Sequence, residues 1–170
     1  MNWDAIAAVG EMVGAAGVIL SLLYVGFETR RNTKTARASL SNDALIQIAL
    51  LNDMAISDPQ LRNVFEKSGT PGTSVSEYND EEWKVLVHFA RALFFRIEGI
   101  NTLYRQGLIE EDLWRVRMSM TAALLQFPIW EKYWEMDKTN AMYTPSFIAA
   151  LESMNAADYA APAFAAGPRS

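Results

Sequence analysis

Apolar positions fill one stretch of the chain without a break and are spaced at helical intervals everywhere else. From Ala5 to Phe27 the sequence reads A-I-A-A-V-G-E-M-V-G-A-A-G-V-I-L-S-L-L-Y-V-G-F, with Glu11 its only charged residue. At 1.5 Å per residue this stretch is about 34 Å long as a helix, against about 30 Å for a bilayer's hydrocarbon core. It predicts one N-terminal transmembrane helix. A buried core helix would normally carry a shorter run of about 10–14 apolar residues. A cleavable signal peptide needs a basic start and a shorter apolar segment, whereas Met1 to Asp4 holds no Lys or Arg. A helix lying in the interface needs a strongly polar face, which this segment lacks.

Beyond Phe27 the pattern changes to amphipathic helices punctuated by turn residues. Leu40, Ala44, Ile48 and Leu51 recur at helical spacing, with Leu45 and Ala55 beside them. No Gly or Pro lies between Phe27 and Ser57, so the first helix is expected to run on to about Ile56. Ser57-Asp58-Pro59 predicts a stop and restart, with Ser57 or Asp58 as N-cap and Pro59 at N1. The short helix that follows holds Leu61, Val64 and Phe65 and ends at Gly69. Ser68–Ser76 reads as a plain loop. It is glycine-containing and precedes a helix, but it lacks the G-K-[ST] ending of a phosphate loop and no strand precedes it.

Asn79-x-x-Glu82 forms a capping box for a helix reaching about Gln106, with Gly107 as C′. Its broad apolar face carries Trp83, Leu86, Val87, Ala90, Leu93, Phe94, Ile97, Ile100 and Tyr104, which predicts the central element of a bundle. Leu108–Trp114 opens the next helix, whose apolar track is read as Leu113, Val116, Met120, Leu124 and Phe127. Pro128 starts a short helix holding Trp130, Tyr133 and Trp134, and Thr144-Pro145 starts the last one. The fold predicted is all-α: a single N-terminal transmembrane helix continuing into a cytoplasmic helical bundle of about five helices. Residues 1–38 form the anchor and its basic flank, 39–154 the helical domain, and 155–170 an Ala-, Gly- and Pro-rich tail.

Charge sets the expected orientation. Arg30, Arg31, Lys34 and Arg37 follow the apolar stretch, and with Glu28 they give residues 28–38 a net charge of +3. The other flank offers only Asp4 and the α-amino group. The positive-inside rule then puts the N-terminus outside and the rest in the cytoplasm of a bacterial inner membrane. Trp3 at one end, and Tyr24 and Phe27 at the other, suit the two interfacial belts. Residues 39–170 carry 11 basic and 17 acidic groups, a net of −6, which repels both an anionic surface and nucleic acid. The chain has no cysteine, which excludes disulfides and thiol chemistry.

Within the anchor, Gly10, Gly14, Gly17 and Ser21 step by four, three and four and so share one helix face. This is the small-xxx-small spacing through which membrane helices approach one another, although Gly is also common in such helices generally. Glu11 lies beside that stripe. It is either a side chain at a helix contact or headgroup layer, or an ion-handling group. Trp130, Tyr133 and Trp134 could pack in the core or bind a partner. The lone His88 has no second His or Cys as co-ligand, so a surface role is the plainer reading.

The layout W-D-A-I-A-A-V-G-E … L-L-Y-V-G-F-E-T-R-R-N-T resembles the start of a widespread group of uncharacterised bacterial proteins. In that group a single N-terminal membrane span is followed by a small helical domain. R-Q-G-L-I-E-E-D-L-W (Arg105–Trp114) and the segment from Pro128 to Trp134 look like its other recurring pieces. The resemblance covers Trp3 to about Leu151. It implies the architecture and no reaction. No nucleophile–base pair, metal cluster or phosphate loop stands out, so no catalysis and no cofactor are expected. The function expected is a membrane-anchored interaction module that forms a homo-oligomer through its membrane helix. The alternative is a small oligomeric pore using the glycine stripe and Glu11.

Overall fold

A computed structural model describes the backbone of residues 3–154 and, within that range, the side chains of all but residues 4–9 and 13. The expected tail, 155–170, lies outside the described residues. The protein is all-α. Its helices are α1 (Trp3–Ser57), α2 (Pro59–Ser68), α3 (Asp80–Arg105), α4 (Glu111–Leu124), α5 (Pro128–Thr139) and α6 (Pro145–Glu152). The chain divides into two compact units, Met1–Ser39 and Leu40–Ser170.

The helix boundaries follow local chemistry. Asp58 caps α2, its Oδ1 accepting from the backbone N–H groups of Gln60 at 2.8 Å and Leu61 at 3.1 Å, with Pro59 in the first turn. At α3 the reciprocal box is complete. Asn79 Oδ1 accepts from the N–H of Glu82 at 2.9 Å, and Glu82 Oε2 accepts from the N–H of Asn79 at 3.0 Å. Gly107, at φ 68°, closes the other end of α3 in a left-handed conformation. Its N–H donates to the carbonyl of Tyr104 at 2.8 Å, and that of Leu108 donates to Leu103 at 2.9 Å. The end of α5 repeats this motif without a glycine. Ala141 takes φ 53°, and the N–H groups of Ala141 and Met142 donate to Lys138 and Asp137. That geometry is strained for a residue with a Cβ.

Two expectations need correcting. The stretch Ser68–Ser76 is not a plain loop throughout. A 3-10 turn occupies Val75–Glu77, capped by Ser74 and Glu77 in a second reciprocal box. The apolar track read along α4 holds at Leu113, Leu124 and Phe127, which pack half-buried against the core, but fails at Val116. Val116 is exposed, whereas Met118, Ser119, Thr121 and Ala122 are buried. α4 packs against both α3 and α6, so its buried surface takes in small polar residues as well as apolar ones. The Thr121 hydroxyl removes its own burial cost by donating to the carbonyl of Arg117 at 2.9 Å.

In the second unit α3 is central and packs against α2, α4, α5 and α6. Leu86, Phe89, Ala90, Phe94, Ile97 and Ile100 are its buried apolar residues. Phe94 sits among the rings of Trp130, Tyr133, Trp134 and Tyr143. Trp130, Tyr133 and Trp134 are therefore core residues, not a binding surface. The last part of α1 joins this core through Ile48, Leu51 and Ala55.

Gly99 interrupts the outer face of α3, and a Cβ added there would meet no atom within 4 Å. Gly99→Ala is expected to stabilise the unit by about 0.5–1 kcal/mol, because alanine loses less backbone entropy in a helix. A higher midpoint in chemical denaturation with an unchanged slope checks this.

Candidate functional site

The site suggested by the sequence lies in the first unit. From Gly10 onward α1 is long and apolar enough to cross a membrane, and the most apolar part of it buries nothing. Met12, Val18, Ile19, Leu20, Leu22, Leu23 and Val25 are all exposed. So are the aromatic flanks Trp3, Tyr24 and Phe27, at 67–68 %. This is unlike the second unit, where most large apolar side chains are covered. Surface apolar residues are normal when scattered, but a continuous sleeve of them marks an interaction surface or a membrane.

The structure brings Gly10, Gly14, Gly17 and Ser21 into one stripe along α1. A Cβ built on any of the three glycines would meet no described atom within 4 Å, so nothing among the described residues covers the stripe. The Ser21 hydroxyl donates to the carbonyl of Gly17 at 2.8 Å. Its donor is thereby satisfied within the helix, and the groove presents little unpaired polarity to lipid or to another helix. Glu11 is exposed beside the stripe. Arg30, Arg31, Lys34 and Arg37 are exposed one to three turns beyond Phe27. The hydroxyls of Thr29, Thr33 and Thr35 between them donate back to the carbonyls of Val25, Thr29 and Arg31.

The second unit holds a polar cluster that the sequence reading missed. Asp137 on α5 is fully buried. Arg91 on α3 meets it in a two-pronged pair, Nε to Oδ2 at 2.9 Å and Nη2 to Oδ1 at 2.6 Å. Tyr133 donates its phenol proton to Asp137 Oδ2 at 2.9 Å. That proton is then committed, so Tyr143, in contact with the Tyr133 oxygen, is the donor of that pair. A chain of donors thus runs from Tyr143 through Tyr133 to Asp137, with Arg91 arriving from the other side. It ties α5 and the turn before α6 to α3.

Electrostatics agree with this geometry. Burial alone would raise the Asp137 carboxyl, but the hydrogen bonds from Arg91 and Tyr133 outweigh it and hold the group below the ordinary aspartate range. Burial first, then the shared hydrogen bond, pushes the Tyr133 phenol well above the usual tyrosine value. Burial is also the main cause of the upward shift at Tyr143. The cluster is thus one carboxylate, one guanidinium and two neutral phenols, all mutually satisfied. Such an arrangement fixes elements in place.

A signal for it was present in the sequence. Asp137 falls at i+7 from Trp130 and i+4 from Tyr133, on the same face as the aromatic residues. A carboxylate on a core face requires a buried partner. Arg91, on the buried side of α3 one residue past Ala90, was the cation available.

Two smaller features complete the picture. Asn101, buried on α3, accepts from the indole N–H of Trp114 at 3.0 Å, and Trp114 stacks on Tyr104 with ring centroids 4.3 Å apart. Glu98 Oε1 accepts from both the backbone N–H and the hydroxyl of Thr144, at 2.8 and 2.7 Å. Thr144 therefore stands at the N-cap of α6 as expected, but its side chain serves Glu98 instead of capping the helix. His88 is exposed. Among the described residues, no group of three His, Cys, Asp or Glu side chains is placed to hold a metal ion. No family model matches the chain, and neither does any curated protein or solved structure.

Proposed function

We propose that this chain is a single-pass, membrane-anchored helical module that self-associates through the glycine stripe of α1. The observation that carries the reading is the apolar sleeve of α1, exposed at Met12 and from Gly14 to Phe27. In water that surface would drive aggregation, whereas in a bilayer it is solvated by acyl chains. Backbone chemistry supports the same reading, since a helix satisfies its own N–H and C=O groups in lipid. The aromatic flanks and the basic residues after Phe27 fit the two interfaces. With four Lys and Arg side chains on one side and none in Met1–Asp4, the N-terminus lies outside and the helical unit lies in the cytoplasm, at a bacterial inner membrane. The bacterial group that the sequence resembles has the same plan.

The polar cluster at Asp137 serves this function as a lock that gives the helical unit a fixed surface to present. No reaction is assigned to it. A second reading rests on Glu11, an ionisable side chain beside the stripe within the apolar segment, where an oligomer could line a cation path with it.

A reporter enzyme active only in the periplasm tests the topology when fused after Ser170. It is expected to be silent there. Activity from that fusion would reverse the orientation. Ion flux through vesicles containing wild type, compared with Glu11→Gln, separates the module from the pore. Flux abolished by Glu11→Gln supports the pore, and absence of flux from both supports the module.

A further inference from the structure

The cations that follow the apolar sleeve are not scattered evenly round α1. Arg30, Lys34 and Arg37 stand at i, i+4 and i+7, which places them on one face, while Arg31 is turned about 100° from Arg30. The three occupy about 10 Å of helix axis. All four are exposed, and none takes part in an ion pair among the described residues. The threonine hydroxyls of the segment are committed to backbone carbonyls. The segment therefore offers positive charge more than hydroxyl geometry.

We propose that Arg30, Lys34 and Arg37 form a binding face for the phosphate headgroups of anionic phospholipids, in the leaflet where α1 leaves the membrane. The inference rests on the membrane-anchored reading and adds the lipid class. Helix direction supports it. Side chains on an α-helix tilt toward its N-terminus. Here the N-terminal side is the bilayer, so these cations lean back toward the headgroups and not away into water. Arg30 lies about 4.5 Å along the axis from Phe27, within the headgroup layer flanking a hydrocarbon core of about 30 Å. Lys34 and Arg37 lie about 10 and 15 Å beyond Phe27, near the outer edge of that layer, where an anionic surface attracts cations over a Debye length of about 8–10 Å. Nucleic acid would meet the same charges, but the adjoining sleeve places them at lipid, and residues 39–170 are net acidic.

The test uses the full-length protein in phosphatidylcholine vesicles containing a minority of phosphatidylglycerol. Electron spin resonance reports how strongly spin-labelled phosphatidylglycerol is immobilised by the protein, relative to spin-labelled phosphatidylcholine. A several-fold preference for the anionic lipid is expected, weakening as salt is raised, with each cation contributing at most roughly fivefold. The triple variant Arg30→Gln, Lys34→Gln, Arg37→Gln should lose the preference and still float with the vesicles. Arg31→Gln should keep most of it, and Arg30→Lys with Arg37→Lys should keep it too, because charge is what is read. No preference in wild type overturns the proposal. So does a preference that survives the triple change or disappears with Arg31→Gln alone. So does a short DNA oligonucleotide that abolishes the preference and whose binding the triple variant loses. If wild type does not float and immobilises neither label, the membrane reading itself is wrong, which is a separate and recognisable result.

Discussion

Asp137→Ala is expected to destabilise the helical unit by about 3–5 kcal/mol, the range for breaking a buried ion pair from one side. It leaves Tyr133 without its acceptor and Arg91 without its counter-ion. The midpoint of thermal unfolding, followed by near-ultraviolet circular dichroism of the buried aromatics, should fall by about 10 °C or more. Arg91→Met should be at least as damaging. Part of the Arg91 side chain reaches solvent, whereas Asp137 has no exposed surface, so the carboxylate is the charge that would be stranded. Replacing both by apolar residues should recover part of the loss.

The pH dependence has a definite sign. Because the Asp137 carboxyl is held below its ordinary value of 3.8, its stabilisation is complete above that pH. It is lost as the pH falls through the depressed folded value. Asp137→Asn should flatten the stability profile in that acid window. In the alkaline range the raised phenols of Tyr133 and Tyr143 make stability fall as the pH climbs above 10.0, where the unfolded chain ionises first. Single variants within about 0.5 kcal/mol of wild type would show that the cluster fixes nothing.

Gly14→Ile should weaken self-association by roughly tenfold or more, equivalent to about 1.4 kcal/mol. Nothing among the described residues covers Gly14, and close backbone approach is what an isoleucine there would prevent. The span stays apolar, so insertion should be unaffected. Ala16→Ile adds comparable bulk on another face of the same helix and should leave association unchanged. Glu11→Gln should also preserve association, because the amide keeps a donor and an acceptor. Oligomer size in detergent or lipid, measured for the three variants beside wild type, checks this. Equal weakening by Gly14→Ile and Ala16→Ile would remove the stripe as the contact.

Helix boundaries were legible in the sequence because caps are local. Asp58 with Pro59, Asn79 with Glu82, and Gly107 each act within four residues of themselves, and each stands where its chemistry predicts. The Ser74–Glu77 box is equally local, but it caps only a three-residue 3-10 turn, too short to carry an apolar period, among Gly, Pro and Ser residues that read as loop. The face of α4 could not be read from one helix. Apolar content pointed to Val116, whereas packing against α3 and α6 buries Met118, Ser119, Thr121 and Ala122. That choice depends on the neighbouring helices. The Arg91–Asp137 pair was harder still, because its partners are 46 residues apart and both look like ordinary surface charges. Only the position of Asp137 on an aromatic face betrays it. The stripe and the basic flank were fully visible, since both lie on one helix and need no tertiary contact.

The most direct test of the anchored reading uses the absence of cysteine in the chain. Single cysteines are placed at Leu20, in the middle of the apolar sleeve, and at Ser153, exposed on the helical unit. Membranes are broken open so that both faces are accessible, then treated with a membrane-impermeant maleimide. The account predicts that Ser153→Cys reacts at once and that Leu20→Cys reacts only after the membrane is dissolved in detergent and the protein unfolded. Leu20→Cys reacting as fast as Ser153→Cys in intact bilayers would contradict it.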